Sequence, residues 1–120
     1  MPSEALQRAH VGDRYSEYVV HNGVIYLAGQ VASSNPSADI RGQTREVLGH
    51  IDRLLAEAGT DKNRILSCQI FLKDVDQIAA MNEVWVEWVE PGKTPPRATV
   101  EARLANPQHL IEIVVTAALR

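Results

Sequence analysis

The sequence predicts an α+β fold for residues 1–120, a single domain with strands and helices in the order ββαβαββ. A hairpin signal lies near the start, and two amphipathic helical patterns follow with a strand between them. The last strand is apolar on both faces. Because two helices cover only one face of a sheet, the other face needs a partner, and the sequence predicts self-association.

Composition excludes several classes of function. The chain has 12 Lys and Arg against 15 Asp and Glu, a net charge of −3, and its basic residues are scattered. Nucleic-acid binding requires clustered basic residues, so this class is disfavoured. We expect a cytoplasmic protein, because neither a signal-peptide pattern nor a membrane-spanning apolar run is present and Cys68 has no disulfide partner. The four histidines lack metal-ligand spacing, so no metal site is expected.

The first strands are predicted from a turn. Asn22-Gly23 suits a type I′ turn, which needs positive φ at both central residues, and β-branched and aromatic residues flank it. We therefore expect strands at about Arg14–His21 and Val24–Ala28. A short additional strand at Leu6–His10 would precede them.

An amphipathic helix is predicted over residues 41–59, after a polar loop. Asp39 is the expected N-cap, and Gly59 can end the helix in the left-handed conformation. The apolar face comprises Val47, Leu48, Ile51, Leu54, Leu55 and Ala58.

A strand and a second helix follow, over residues 64–74 and 74–89. Alternation in the strand places Leu66, Cys68, Ile70 and Leu72 on one side, with Ile65 and Phe71 on the other. In the helix, Asp74 and Gln77 have the spacing of a capping box. Its apolar stripe is a core pattern: Ile78, Met81, Trp85, Trp88 and Val89.

The last strands are predicted at Arg97–Leu104 and Leu110–Leu119. Glu112 interrupts the apolar run of the second, where an ionised carboxylate is costly unless it is paired. Glu112 could form a structural ion pair with Arg103, and Arg97 could be an ordinary surface charge. Whether Arg97 and Glu112 share a face depends on register, because a shift of one residue reverses the answer.

The whole chain nevertheless resembles a known family. The motif P-P-R-A-T-V, followed after a short segment by L-I-E-I, is similar to the C-terminal signature of the RidA (YjgF) family. Gly29-Gln30 and Asn82 also match, and the resemblance extends from about Tyr15 onward. The Ser-Asn-Pro loop and the Trp85–Trp88 helix look closest to the YoaB-like branch.

This resemblance implies a chorismate-mutase-like fold, with a mixed sheet, two helices on one face, and a homotrimer with clefts between subunits. The activity it implies is hydrolysis of reactive enamines or imines, such as 2-aminoacrylate, to 2-oxo acids and ammonia without a cofactor. Matched by motif, Arg97 would bind the substrate carboxylate, and Glu112 would orient water. Tyr15 and Asn82 would line the cleft, as would Gly29.

The chemistry suits these residue types. The planar guanidinium of Arg presents parallel N–H groups to a carboxylate, which Lys does not. Enamines tautomerise to imines, and hydrolysis of an imine needs a positioned water and a proton shuttle, so one carboxylate can suffice.

Some positions depart from the family pattern. Ala28 stands where the best-studied enzymes carry a serine, so a hydroxyl contact to substrate is missing. Thr99 replaces a frequent cysteine at the position two after the arginine. The Gly-Pro usual before the cleft tyrosine is Asp13-Arg14 here, which leaves Tyr18 or Tyr26 as alternatives to Tyr15. These departures bear on the substrate range more than on the reaction class.

Two other functions compete with deamination. A non-catalytic module could bind 2-oxo acids or other small carboxylates in the same cleft and regulate a partner. Arg97 would serve both functions, whereas only the enzyme needs Glu112. A ribonuclease or translation inhibitor, an activity sometimes attached to the family name, is least favoured by the acidic charge balance.

Overall fold

A computed structural model describes residues 5–120 and contains one six-stranded sheet with two α-helices. The elements are β1 (Gln7–Val11), β2 (Ser16–His21), β3 (Val24–Leu27), α1 (Ile40–Glu57), β4 (Ile65–Leu72), α2 (Ile78–Trp88), β5 (Arg97–Glu101) and β6 (Ile111–Ala118). The strand order is β1-β2-β3-β6-β4-β5, in which only β4 and β5 pair in parallel. The predicted α+β fold with a mixed sheet is confirmed, and β1 adds one strand to the order ββαβαββ.

The predicted hairpin is confirmed at its turn. Asn22 and Gly23 have φ of 53° and 76°, which is the left-handed backbone of a type I′ turn. The strands it joins, β2 and β3, are antiparallel and in register from Tyr18–Leu27 to His21–Val24. The short additional strand predicted at Leu6–His10 is present as β1, at the edge of the sheet.

Helix α1 begins and packs as its sequence predicts. The Asp39 side chain accepts a hydrogen bond of 2.9 Å from the Gly42 amide and caps the helix. Gly59, with φ of 83°, follows the last turn. The buried apolar side chains of α1 are Ile40, Val47, Leu48, Ile51, Leu54 and Leu55. They join one core with the buried side of the sheet and with Met81, Val84 and Trp85 of α2.

Strand β4 differs from strict alternation at its start. Ile65 pairs with Ala117 and Ser67 with Thr116, so one extra residue is inserted between them. Ile65 is therefore buried and Leu66 is exposed, which reverses the predicted faces of these two residues. Beyond the irregularity, Cys68, Ile70 and Leu72 are buried as predicted.

The capping box predicted for the second helix is wrong. The Asp74 carboxylate accepts from the Asp76 amide at 2.9 Å and starts a 3-10 turn at Val75–Gln77. Helix α2 begins only at Ile78, and Gln77 makes no side-chain cap hydrogen bond. The extra turn displaces the helix start beyond the reach of the Asp74 side chain.

Strand β6 occupies the middle of the sheet, between β3 and β4, and is shorter than predicted, as is β5. Its residues Ile111, Ile113, Val115 and Ala117 are fully buried beneath the helices. The alternate residues lie on the other side, which we call the open face: Glu112, Val114 and Thr116 of β6, with Tyr26, Phe71 and Val100 from neighbouring strands. Tyr26 and Val100 remain 46% and 47% exposed there. Across residues 5–120, neither helix is long and apolar enough to cross a membrane.

Candidate active site

Arg97 and Glu112 lie on opposite faces of the sheet. Strand β4 separates their strands, and it pairs Phe71 with Glu112 and Cys68 with Arg97. Residues three apart on a strand point to opposite sides, so Arg97 faces the helices and Glu112 the open face. Whether Arg97 and Glu112 share a face is therefore decided by their pairing with β4, and they do not.

Arg97 is held by α2. It begins β5 at the sheet edge, and its Nη1 donates to Asn82 Oδ1 at 2.9 Å. Its guanidinium carbon lies 5.1 Å from the centre of the Trp85 ring, a cation–π contact. The side chain is half-buried, so it is not the free surface charge that the composition alone allows. Asn82 and Trp85 together fix the direction of the guanidinium, and its other N–H groups can meet a ligand.

Cys68 and Thr99 lie beside Arg97, and we call Arg97, Asn82, Trp85, Cys68 and Thr99 the arginine edge. Burial raises the pKa of the Cys68 thiol to about 12, an effect that the Arg97 charge partly opposes. Cys68 is therefore a neutral core residue at neutral pH and not a nucleophile. The Thr99 hydroxyl is buried, and no group of residues 5–120 hydrogen-bonds to it.

Glu112 opens into a separate pocket of about 440 Å³, which we call the Glu112 pocket. Its lining is Tyr15, Ala28, Gly29, Val31, Ala105, Asn106, His109 and Glu112. Within residues 5–120 no ion pair joins Glu112 to Arg103 or to another basic side chain. The carboxylate is thus available to a ligand in a mostly apolar cavity.

Backbone pairing of Gln30 with Ile113 places the Gly29-Gln30 segment against β6. The Gln30 amide donates to the Ile113 carbonyl at 2.9 Å, and the Ile113 amide donates back at 3.1 Å. The Gln30 side chain also donates to the Ala28 carbonyl at 3.0 Å. These bonds hold Ala28 and Gly29 beside Glu112, so the Gly-Gln motif has a positional role.

Of the candidate tyrosines, Tyr15 lines the Glu112 pocket and is 59% exposed. The Tyr18 side chain is buried, and its hydroxyl donates to Glu57 at 2.7 Å on the helix side. Tyr26 lies on the open face outside this pocket. Of these three tyrosines, Tyr15 is the one that lines the Glu112 pocket.

The candidate residues form two groups. Arg97, Asn82 and Thr99 belong to the arginine edge, while Tyr15, Ala28, Gly29 and Glu112 belong to the Glu112 pocket. Sequence reasoning missed Trp85 as an arginine contact and His109 as a pocket residue. For His109, the available signal was its place in a loop three residues before Glu112. Among residues 5–120, no group of three His, Cys, Asp or Glu side chains is placed to hold a metal ion.

Comparison with known proteins identifies the family. The profile described as Endoribonuclease L-PSP matches residues 6–119. A RutC family protein of Haemophilus ducreyi is 46% identical over 114 residues, covering 95% of this chain and 97% of that protein. The RutC family protein YoaB of Escherichia coli K12 is 42% identical over 106 residues, covering 88% and 91%.

Comparison with solved structures indicates the same family. A YjgF-family protein from Neisseria meningitidis has a TM-score of 0.93 and 44% sequence identity, and the match covers 98% of each chain. The two helices and the mixed sheet are those of the chorismate-mutase-like fold of such proteins. The chain therefore belongs to the Endoribonuclease L-PSP (YjgF/RidA) family.

Proposed function

We propose that this protein hydrolyses carboxylate-bearing enamines and imines, such as 2-aminoacrylate, to 2-oxo acids and ammonia in clefts between subunits. One observation carries the proposal: Arg97 and Glu112 lie on opposite faces of one sheet. A small substrate cannot reach both within one chain. It can do so where the arginine edge of one subunit meets the Glu112 pocket of the next.

The surfaces support a ring of subunits. The open face exposes apolar residues such as Tyr26 and Val100, which a second subunit would cover. The arginine edge and the Glu112 pocket are different patches, so contact between them is head to tail. Head-to-tail contacts whose rotation closes form rings, of which the trimer is the smallest, and those that do not close form filaments. Each subunit then gives Arg97 to one cleft and Glu112 to another.

Within such a cleft the residues have separate tasks. Arg97 binds the substrate carboxylate through parallel N–H groups, while Asn82 and Trp85 keep its guanidinium in place. Glu112 orients and deprotonates the water that attacks the imine carbon. The apolar pocket walls leave room for the substrate side chain.

Mixed trimers test the proposal. Arg97→Ala and Glu112→Ala chains, each with its own tag, are co-expressed and the trimers carrying both tags are purified. In every mixed trimer one cleft has both residues intact, so we expect about one third of wild-type ammonia release per trimer. Trimers of either variant alone should be inactive. A mixed trimer as inactive as its parents would place both residues in one chain's site and contradict the proposal.

A binding module for 2-oxo acids is the second candidate, and Ala28 favours it because the pocket lacks a hydroxyl at that position. Calorimetry with pyruvate, compared with ammonia release, separates the two functions. A module binds pyruvate in both wild type and Glu112→Gln and releases no ammonia above the spontaneous rate. An enzyme loses ammonia release in Glu112→Gln and keeps pyruvate binding through Arg97.

The nuclease in the family description has less support. RNA binding rests on neutralising phosphates with Lys and Arg. The chain has a net charge of −3, and the Glu112 pocket is lined by no Lys or Arg and by one carboxylate. No Lys or Arg side chain among the lining residues would neutralise a phosphate there, whereas a neutral imine needs no such partner.

A further inference from the structure

Among residues 5–120, His109 is the one residue lining the Glu112 pocket, besides Glu112 and Tyr15, whose side chain can exchange a proton. It lies in the loop between β5 and β6, three residues before Glu112, and is half-buried. A histidine is the side chain best suited to proton transfer near neutral pH. His109 thus shares a pocket with the Glu112 carboxylate, and the contacts of its loop show how it is held there.

The side chain of Gln43 in α1 forms hydrogen bonds with the backbone on both sides of His109. Its Nε2 donates to the Gln108 carbonyl at 3.0 Å, and its Oε1 accepts from the Leu110 amide at 2.8 Å. Gln43 is fully buried, with 0% exposure. A buried amide is stable only when its hydrogen bonds are made, so these bonds hold the loop firmly.

Further bonds hold the same loop. Lys73 donates through its amide to the Leu110 carbonyl at 3.0 Å and through Nζ to the Pro107 carbonyl at 2.6 Å. Asn106 accepts from the Gln108 amide through Oδ1 at 2.9 Å and from the His109 amide through its carbonyl at 3.0 Å. Hydrogen bonds thus hold the backbone of the loop from Asn106 to Leu110. The backbone that presents the His109 side chain to the pocket is therefore fixed by the fold.

We propose that His109 is a second proton-transfer residue in the Glu112 pocket and that Gln43 positions it. The inference rests on the proposed hydrolysis of imines. Hydrolysis takes a proton from water and gives a proton to nitrogen; one carboxylate can do both in turn, whereas a base and an acid together do both in the same step. Glu112 serves as the base and His109, as the imidazolium, serves as the acid.

The reaction then proceeds in two balanced stages. Water oxygen bonds to the imine carbon as its proton passes to Glu112, while the C=N π electrons move to nitrogen, which takes a proton from the His109 imidazolium. The product is a carbinolamine. The proton on Glu112 next moves to the amine nitrogen, and the C–N bond breaks to release ammonia. The carbonyl forms as the hydroxyl proton passes to neutral His109, which restores both residues.

Substitution of His109 tests its role in proton transfer. His109→Ala and His109→Gln should lower kcat for 2-aminoacrylate about a hundredfold, with KM little changed. The wild-type rate should fall as rising pH removes the imidazolium, and this alkaline limb should vanish in both variants. In the part of the chain that the structure describes, Glu112 and Tyr15 are the other titratable groups that line the pocket, and both remain in the variants. A variant with wild-type kcat and an unchanged alkaline limb would overturn the proposal.

Gln43→Met tests the positioning role, and Thr44→Val is its matched control. Thr44 is also fully buried, but its hydroxyl donates to the Ile40 carbonyl inside α1 at 2.7 Å and leaves the loop alone. Gln43→Met should lower kcat about tenfold or more, weaken the alkaline limb and speed hydrogen exchange at the Leu110 amide. Thr44→Val should change none of these. Faster exchange at Leu110 with unaltered kcat would exclude Gln43 as a positioning residue.

A readout without catalysis separates this inference from the proposed function. In NMR spectra of the wild type, pyruvate should shift the ring signals of His109 and leave those of His21 and His50, which lie outside the pocket. Absence of ammonia release by the wild type would refute the hydrolase. Pyruvate binding that leaves the His109 signals unmoved would refute the role of His109, even in an active enzyme.

Discussion

The carboxylate of Glu112 lies across the α-carbon of Gly29. A Cβ built on Gly29 would lie 2.8 Å from Glu112 Cδ and would overlap its Oε2. Any side chain at position 29 would therefore displace the Glu112 carboxylate, whereas the backbone angle of Gly29 is one that other residues adopt. The Gln30–Ile113 backbone pair keeps the two segments together, so the glycine fixes where the carboxylate can lie.

Gly29→Ala should therefore displace the Glu112 carboxylate. We expect ammonia release to fall about tenfold or more, because the base loses its position toward water. Pyruvate binding, measured by calorimetry, should persist through Arg97. The control is Gly49→Ala in α1, where a Cβ meets no atom within 4 Å. It should stabilise the helix by about 0.5–1 kcal/mol and leave activity unchanged. Full activity in Gly29→Ala would disprove the contact's importance.

Replacing Arg97 should remove the carboxylate clamp. A charge-assisted hydrogen bond is worth about 1.5–3 kcal/mol, so Arg97→Ala should weaken pyruvate binding by about one to two decades and abolish deamination. Arg97→Lys should keep a little activity, because the charge remains but the paired N–H groups do not. Arg103→Ala, at an exposed arginine outside the arginine edge, is the control. Wild-type rates in a folded Arg97→Ala assembly would refute the assignment.

Ala28 should influence which substrate is preferred. It lines the Glu112 pocket with a methyl group, so imines derived from apolar amino acids such as Leu or Met should be tolerated comparatively well. Ala28→Ser should shift preference toward the small serine-derived imine, by an amount equal to about 0.5–1.5 kcal/mol for one neutral hydrogen bond. Competition kinetics with imines from Ser, Leu and Met precursors measure the shift. An identical ratio in both proteins would mean that position 28 does not contact the substrate.

Assembly should depend on the open face. We expect a trimer at micromolar concentration by light scattering. Val100→Glu should dissociate it, because Val100 is 47% exposed in the single chain and would bring an unpaired charge into the interface. Val86→Glu, on the outer side of α2 with 67% exposure, should leave the trimer intact. A stable wild-type monomer, or an intact Val100→Glu trimer, would refute this interface.

Acid should weaken the link between the sheet edge and α1. Glu57 Oε2 accepts hydrogen bonds from Tyr18 at 2.7 Å and from His10 at 2.6 Å. These two bonds, with a smaller contribution from the charge of Arg53, lower the pKa of Glu57, and burial opposes them.

Because the folded pKa lies below the unfolded one, the stabilisation is complete above the ordinary carboxyl pKa and is lost as pH falls through the folded value. The free energy of unfolding of wild type should therefore exceed that of Glu57→Gln at neutral pH, and the two should converge in acid. Denaturant titrations across this range measure both curves, and a difference independent of pH would contradict the linkage.

Local sequence determined the elements and much of the chemistry. The Asn22-Gly23 turn, the Asp39 cap and the buried side of β6 form as predicted, because each depends on neighbouring residues and on simple periodicity. The family motifs likewise identified Arg97 and Glu112 as candidates. The predictions that were wrong were also local. The residue inserted before Ser67 shifts the alternation of β4, and the 3-10 turn before α2 shifts the start of that helix.

The tertiary structure alone decided how the site residues lie relative to one another. Strand β4 inserts between β5 and β6, so the faces of Arg97 and Glu112 depend on a pairing that neither strand's own sequence contains. The same is true of the loop at His109, which is held by Gln43 from a helix far earlier in the chain. Periodicity specifies the face of a residue only within its own element. Which elements become neighbours is decided by burial of the whole core, and the site follows from that packing.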